Sequence, residues 1–200
     1  MTTYAAPINV KNAAIQMLGA KALVTELDQT KEARILKTHY EPTVKKWLTR
    51  HAWTWAMKSD VLVKSAETDT GMYVYTLPSD LLNLRYITYN DQVVDQFFEY
   101  EDGELIFGYD STELKAHYTW RVPEARWPAD FAEVVVRDLY GRMIRALLND
   151  FNEARTAEQE AEVLARRAMV RDKRQIRGRD HNPNPRMVAS WKGFKDGPAS

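Results

Sequence analysis

Met72-Tyr73-Val74-Tyr75-Thr76-Leu77-Pro78-Ser79-Asp80-Leu81-Leu82-Asn83-Leu84-Arg85-Tyr86-Ile87-Thr88-Tyr89 decides the fold, because aromatic and β-branched residues here recur with the period of a strand. Two strands are expected in it, Met72–Thr76 and Leu84–Tyr89, with Leu77-Pro78-Ser79-Asp80 as an ordered corner between them. The same period begins at Asp60 with Val61-Leu62-Val63 and resumes beyond a turn at Asn90-Asp91. Val93 to Tyr100 reads as a strand, Asp102-Gly103 as a hairpin turn, and Leu105-Ile106-Phe107 as the returning strand. Leu114 to Val122 closes the region through Leu114, Ala116, Tyr118 and Trp120. A small antiparallel sheet over residues 60–122 is therefore expected.

On either side the period lengthens to that of a helix. Asn9 to Leu18 carries Val10, Ala13, Ala14, Met17 and Leu18 on one face, with Gly19 as a stop. Thr30 is placed to cap a second helix through Ala33, Leu36, Tyr40, Val44, Trp47 and Leu48 toward Trp53. Pro42 predicts a kink or short break near His39–Glu41, since proline lacks the amide and clashes with the preceding turn. Pro128 suits the first turn of a third helix, with Asp130 and Glu133 beside its amide-rich end. Its apolar face runs through Phe131, Val134, Val135, Leu139, Met143, Ala146, Leu147 and Phe151. A break at Asn149-Asp150 or Asn152 precedes a fourth helix from Ala157 to about Arg174, through Ala161, Leu164, Ala165, Ala168 and Met169. The expected class is α+β: a helical bundle core, with an inserted small antiparallel β domain and an extended C-terminal tail. Residues 1–59 form the first part of the helical core, 60–122 the β domain, 123–177 the second part of the core, and 178–200 the basic tail.

Composition sets the boundaries of function. The chain has 200 residues, 44% hydrophobic and 28% charged, enough for one substantial domain with its own core. It contains no cysteine, which excludes disulfides, thiolate metal sites and cysteine nucleophiles and fits assembly in a reducing cytoplasm. Met1 to Val10 has no basic and apolar signal pattern, and no apolar run approaches a membrane span, so the expectation is a chain neither secreted nor membrane-spanning. Net charge is zero, but the charges are sorted. Asn90 to Glu113 holds eight acids and no Lys or Arg, whereas Ala165 to Lys195 holds ten basic residues against Asp172 and Asp180. Such asymmetry implies either acid meeting base on a neighbouring copy or contact with a charged partner; the plain alternative is two solvated surfaces.

Catalytic patterns are absent from the sequence: no GxxxxGK[ST] loop, no GxGxxG, no GxSxG and no HExxH. His39, His51, His117 and His181 are scattered without ligand spacing, and no metal or other cofactor is expected. Glu99, Glu101, Asp102 and Glu104 offer the paired carboxylates that glycoside hydrolysis requires, yet they flank a hairpin tip where they would point into water. Trp47, Trp53 and Trp55, with Tyr73, Tyr75, Tyr86 and Tyr89, suit a helix laid on a sheet better than a base-stacking platform. Trp191 and Phe194 differ, because they sit in a Pro/Gly-rich basic segment with no local core and read as anchors for a pocket on another chain.

The order of segments carries a resemblance. Leu18-Gly19 closes an early helix; His51-Ala52-Trp53-Thr54-Trp55-Ala56 follows, then Tyr73-Val74-Tyr75-Thr76-Leu77-Pro78-Ser79-Asp80-Leu81-Leu82, Tyr118-Thr119-Trp120, Trp127-Pro128-Ala129-Asp130-Phe131 and a long Ala-rich helix. This order, over roughly Asn9 to Met169, resembles the tail tubular protein A family, the head-to-tail adaptors of podoviruses. The resemblance implies a non-enzymatic virion protein of the head-tail junction, assembled in the host cytoplasm. It further implies a homo-oligomeric ring, dodecameric in the family, between a portal protein and a tail nozzle protein, through which genomic DNA passes without sequence readout. The markedly basic tail departs from some relatives. On this reading Arg171, Arg174, Arg177, Arg179, Arg186, Trp191 and Phe194 meet the portal, while Glu99, Glu101, Asp102 and Glu104 meet the nozzle or a neighbouring subunit. The rival from another class is a nucleic-acid-binding module using the basic tail, with Trp191 stacking on bases; a glycan hydrolase at the acidic cluster stands third.

Overall fold

The computed structural model describes residues 4–177 apart from 5, 24, 26, 70, 95–97 and 102, and gives the backbone alone for 98–101 and 175–177. It has the α+β class expected, with four long helices and eight strands among the described residues. Helix α1 (Pro7–Met17) begins two residues earlier than its periodicity suggested, with proline in the first turn where its missing amide costs nothing. Gly19 follows at φ +71°, the left-handed conformation that ends helices. Helix α2 (Lys31–Arg50) is capped as expected, the Thr30 hydroxyl accepting from the Ala33 amide at 3.2 Å.

Pro42 does not break α2, which runs through it without interruption. The reason is directional. Thr38, Glu41 and Pro42 all lie on the exposed side, so the Thr38 carbonyl that loses its partner faces water. The opposite side holds Leu36, Tyr40, Val44, Trp47 and Leu48 in the core.

Helix α3 (Ala129–Leu147) follows Pro128, and Asn149 at φ +53° turns the chain into α4 (Phe151–Arg177). Asp150 caps α4, its carboxylate accepting from the Asn152 and Glu153 amides at 3.0 Å each. Phe151, expected on the buried face of α3, opens α4 instead and is exposed. A row of alanines, Ala154, Ala157, Ala161, Ala165 and Ala168, forms the buried face of α4. On α3, a Cβ at Gly141 would lie 3.1 Å from the Ala154 carbonyl oxygen and 3.3 Å from the Ala157 Cβ. Small residues on both sides thus let the two helices touch backbone to side chain.

The β region contains two sheets rather than the single one expected. Strands β1 (Met57–Val61), β4 (Leu81–Tyr89), β5 (Gln92–Val94) and β8 (Lys115–Trp120) make one, in the order β1-β8-β4-β5. Strands β2 (Val63–Glu67), β3 (Tyr73–Thr76), β6 (Phe98–Glu101) and β7 (Glu104–Phe107) make the other, in the order β2-β3-β7-β6. All pairings are antiparallel. Val61-Leu62-Val63 is not one strand: the buried Leu62 donates its amide to the Leu114 carbonyl at 2.8 Å, and there the chain passes from one sheet to the other. Val93 to Tyr100 likewise divides between β5 and β6, which belong to different sheets. Leu62, Tyr75, Leu105 and Phe107 close on Ile87, Leu114, Ala116 and Tyr118 in a core drawn from both sheets. A separate, larger core unites α1, α2, α3 and α4 with Trp53, Val122 and Trp127. The expected tail, residues 178–200, lies outside the described residues.

Because the α3–α4 seam has no room for a branched side chain, Gly141→Val is expected to cost about 1–3 kcal/mol through overpacking. Chemical denaturation measures this; a variant as stable as the wild type would contradict the seam's tightness.

Candidate assembly interface

The residues that carry the sequence resemblance are used to hold the two cores and join them. Trp53 is buried, donates its indole N–H to the Trp47 carbonyl at 2.8 Å, and packs edge-on against Phe131 with centroids 5.3 Å apart. Trp55 and Trp127 contact the same Phe131 ring. Tyr75 is buried in the β core; its hydroxyl donates to the Tyr109 carbonyl at 2.9 Å and accepts from the Ser111 amide at 2.8 Å. Asp80, at the corner after β3, accepts from the Tyr118 hydroxyl at 2.9 Å and from Lys58 at 3.0 Å. Core packing accounts for Trp47, Trp53 and Tyr75, as expected. Tyr86 is the exception: it is exposed on the sheet and stacks on His117 at 4.3 Å.

Two buried carboxylates, whose burial no local pattern marks, fix the helical body. Asp138 of α3 accepts from the Trp47 indole and from Lys46, each at 2.8 Å, and from Arg142 at 3.2 Å. Asp172 of α4 accepts from the Thr54 amide at 3.1 Å and from its hydroxyl, at the point where the chain leaves α2 for the β unit. Arg85 of β4 closes the same joint by donating to the Thr49 and His51 carbonyls at 3.0 and 2.8 Å, which satisfies the end of α2. His51 Nε2 lies 3.3 Å from Asp172 without hydrogen-bond alignment. Burial pushes the His51 imidazole below its usual pKa, and outweighs the opposing pull of that carboxylate.

Acids and bases divide α4 in two. In its first half, Glu158, Glu160 and Glu162 pair with Arg145, Arg137 and Arg50. In its second half the cations outnumber their partners. Arg171 reaches Asp130 only at 3.6 Å, and Arg166, Arg167, Lys173 and Arg174 have no carboxylate partner among the described residues. Of the portal-facing residues expected from sequence, Arg171 and Arg174 are exposed on α4. Arg177 ends that helix, and Arg179, Arg186, Trp191 and Phe194 lie outside the described residues. The acidic group sits where the hairpin was expected: Glu101 and Glu104 face each other in register across the turn at Gly103, whose φ is +82°. Glu104 is exposed, the side chains of Glu99 and Glu101 are not described, and Asp102 lies outside the described residues. No group of carboxylates and imidazoles suited to a metal ion occurs among the described residues. No helix among them is long and apolar enough to cross a membrane.

Compared with known proteins, the chain matches no protein-family model, and no curated protein matches it.

His39, His51 and His117 are all held below the usual imidazole range, chiefly by burial. The folded chain therefore binds fewer protons than the unfolded one as the pH falls through the ordinary histidine value of about 6.5, so stability declines there. Thermal melts should show the midpoint constant above that value and falling below it. His51→Gln should flatten part of the fall; a midpoint unchanged to roughly one unit below it would contradict this.

Proposed function

We propose that this chain is a structural subunit of a bacteriophage head-tail junction, one copy in a closed ring between the portal and the tail nozzle. The observation that carries the reading is the set of unpaired cations on the outward side of α4, next in sequence to a further basic segment. Arg166, Arg167, Lys173 and Arg174 are exposed on α4 without a carboxylate partner among the described residues, and in the sequence Arg177, Arg179 and Arg186 follow, then Trp191 and Phe194. A segment of that composition gains little from its own fold and much from a partner that offers acidic and apolar contacts together. The segment order from Leu18 to Phe131 supports the same reading by its resemblance to the podovirus adaptors. In that role the copies line a channel for DNA, and the acidic β hairpin faces the nozzle or a neighbouring copy. Twelve copies would follow the family pattern. The protein would act by surfaces, without cofactor or catalytic step, as a virion component assembled in the host cytoplasm.

A nucleic-acid-binding module draws on the same cations, with phosphates as their partners. It differs in one measurable way, because the isolated monomer would then bind duplex DNA tightly and with a steep dependence on salt. Nothing favours glycan hydrolysis at Glu104, which stands exposed beside a turn.

Deleting Gly178 to Ser200 should leave the melting midpoint nearly unchanged and abolish attachment to portal rings, as read by co-sedimentation. Attachment at wild-type strength by the truncated chain would remove the basis of the proposal.

A further inference from the structure

Between α2 and α4, with α3 beneath, lies a groove of about 390 Å³ lined by three cations, one from each helix: Lys46, Arg142 and Arg155. Its floor is Asp138, 1% exposed, which accepts from Lys46 at 2.8 Å and from Arg142 Nε at 3.2 Å. That buried carboxylate holds both cations in place while taking only part of what they can donate. Lys46 keeps two N–H groups, and Arg142 both terminal nitrogens, without another hydrogen-bond partner among the described residues. Arg155 is exposed and has no hydrogen bond or ion pair at all among them. The two glutamates on the walls, Glu158 and Glu162, are each paired with an arginine from outside the groove, Arg145 and Arg50. Asp138 is thus left to oppose the three lining cations alone. A neighbouring hollow, which shares Arg142 and Glu158 with the groove, feels the same field. His39 in that hollow is held below the usual imidazole range first by burial and next by Arg142, and Asp138 opposes this less strongly.

We infer that this groove binds a phosphate-type oxyanion, held between the ammonium of Lys46 and the guanidinium groups of Arg142 and Arg155. Neutralising Asp138 takes one cation. The groove supplies two and adds Arg155, whose like charge is unfavourable there unless an anion enters. The free donors outnumber the roughly four lone-pair sites of a carboxylate and suit a group with more oxygens. Guanidinium groups meet phosphate oxygens two at a time, and the lysine adds a compact point charge. Because Asp138 already orients Lys46 and Arg142, little side-chain entropy remains to be lost on binding. The same chemistry is offered by a free phosphate compound and by the backbone of a nucleic acid. The inference stands apart from the ring reading.

The test uses the full-length chain and two probes, inorganic pyrophosphate and a short duplex DNA, titrated by calorimetry at fixed ionic strength. At least one should bind and raise the melting midpoint, since a ligand of the folded state alone stabilises it. Arg155→Gln removes a cation that holds no other group, and should weaken binding about tenfold or more while the unliganded midpoint stays as it was. Arg142→Gln leaves Asp138 with Lys46 and Trp47 and should weaken binding as much, with its fold checked by melting. Arg167→Gln, on the opposite flank of α4 beside Arg137 and Glu160, controls for general charge and should bind like the wild type. Pyrophosphate binding that follows this pattern supports a free phosphate compound as the ligand; binding of DNA alone with the same pattern supports a nucleic-acid backbone. Silence from both probes, binding untouched by Arg155→Gln, or an equal loss in Arg167→Gln overturns the inference. The ring reading survives that failure, because none of these variants touches Gly178 to Ser200, whose deletion tests it.

Discussion

Gly141 and the alanine row of α4 let two antiparallel helices come into contact with almost nothing between them, and much of the molecule's surface chemistry follows from that contact. A helix bound along one narrow stripe of small residues presents most of its other side chains outward. In α4 the first outward turns are neutralised by Arg50, Arg137 and Arg145, so this half is settled by intramolecular pairs. In the second half Arg171 alone has such a partner among the described residues, and Arg166, Arg167, Lys173 and Arg174 stay exposed. The seam that stabilises the body is thus also what leaves these cations on the surface.

The joint between the two cores depends on the same helix. Asp172 sits on α4 but binds Thr54, the first residue of the turn that carries the chain into β1. Arg85 reaches back from β4 to the end of α2. A buried carboxylate and a guanidinium, each satisfied by backbone groups of another element, tie the β unit to the helices at one place. Any partner that pulls on the end of α4 therefore acts next to the connection between the cores. That arrangement suits a subunit whose two ends meet different neighbours.

Much of this was legible in the chain. Thr30, Gly19 and Pro128 act at helix ends through their own backbone chemistry, and they stand where their local sequence placed them. The hairpin at Gly103 follows equally from its turn residues. What local pattern could not supply was partnership at a distance. A period of two marks strands without saying which sheet each joins, so the crossing at Leu62 and the split between β5 and β6 went unseen. The backbone chemistry of Pro42 predicts a break, yet the side of the helix on which it stands decides its cost. Asp138 and Asp172 find their partners 91 and 118 positions away in sequence, beyond any local rule. The charge segregation, by contrast, was visible from composition, and the structure adds which of those charges are neutralised within the chain.

Hydroxyl-radical footprinting of the chain, free in solution and within intact phage particles, tests most directly whether its purpose lies in covered surfaces. The account predicts that Val163 and Val170 are labelled in the free chain and protected in the particle, while Tyr75 and Trp53 stay protected in both. Equal labelling of α4 in the two states, or particles without the chain, would contradict it.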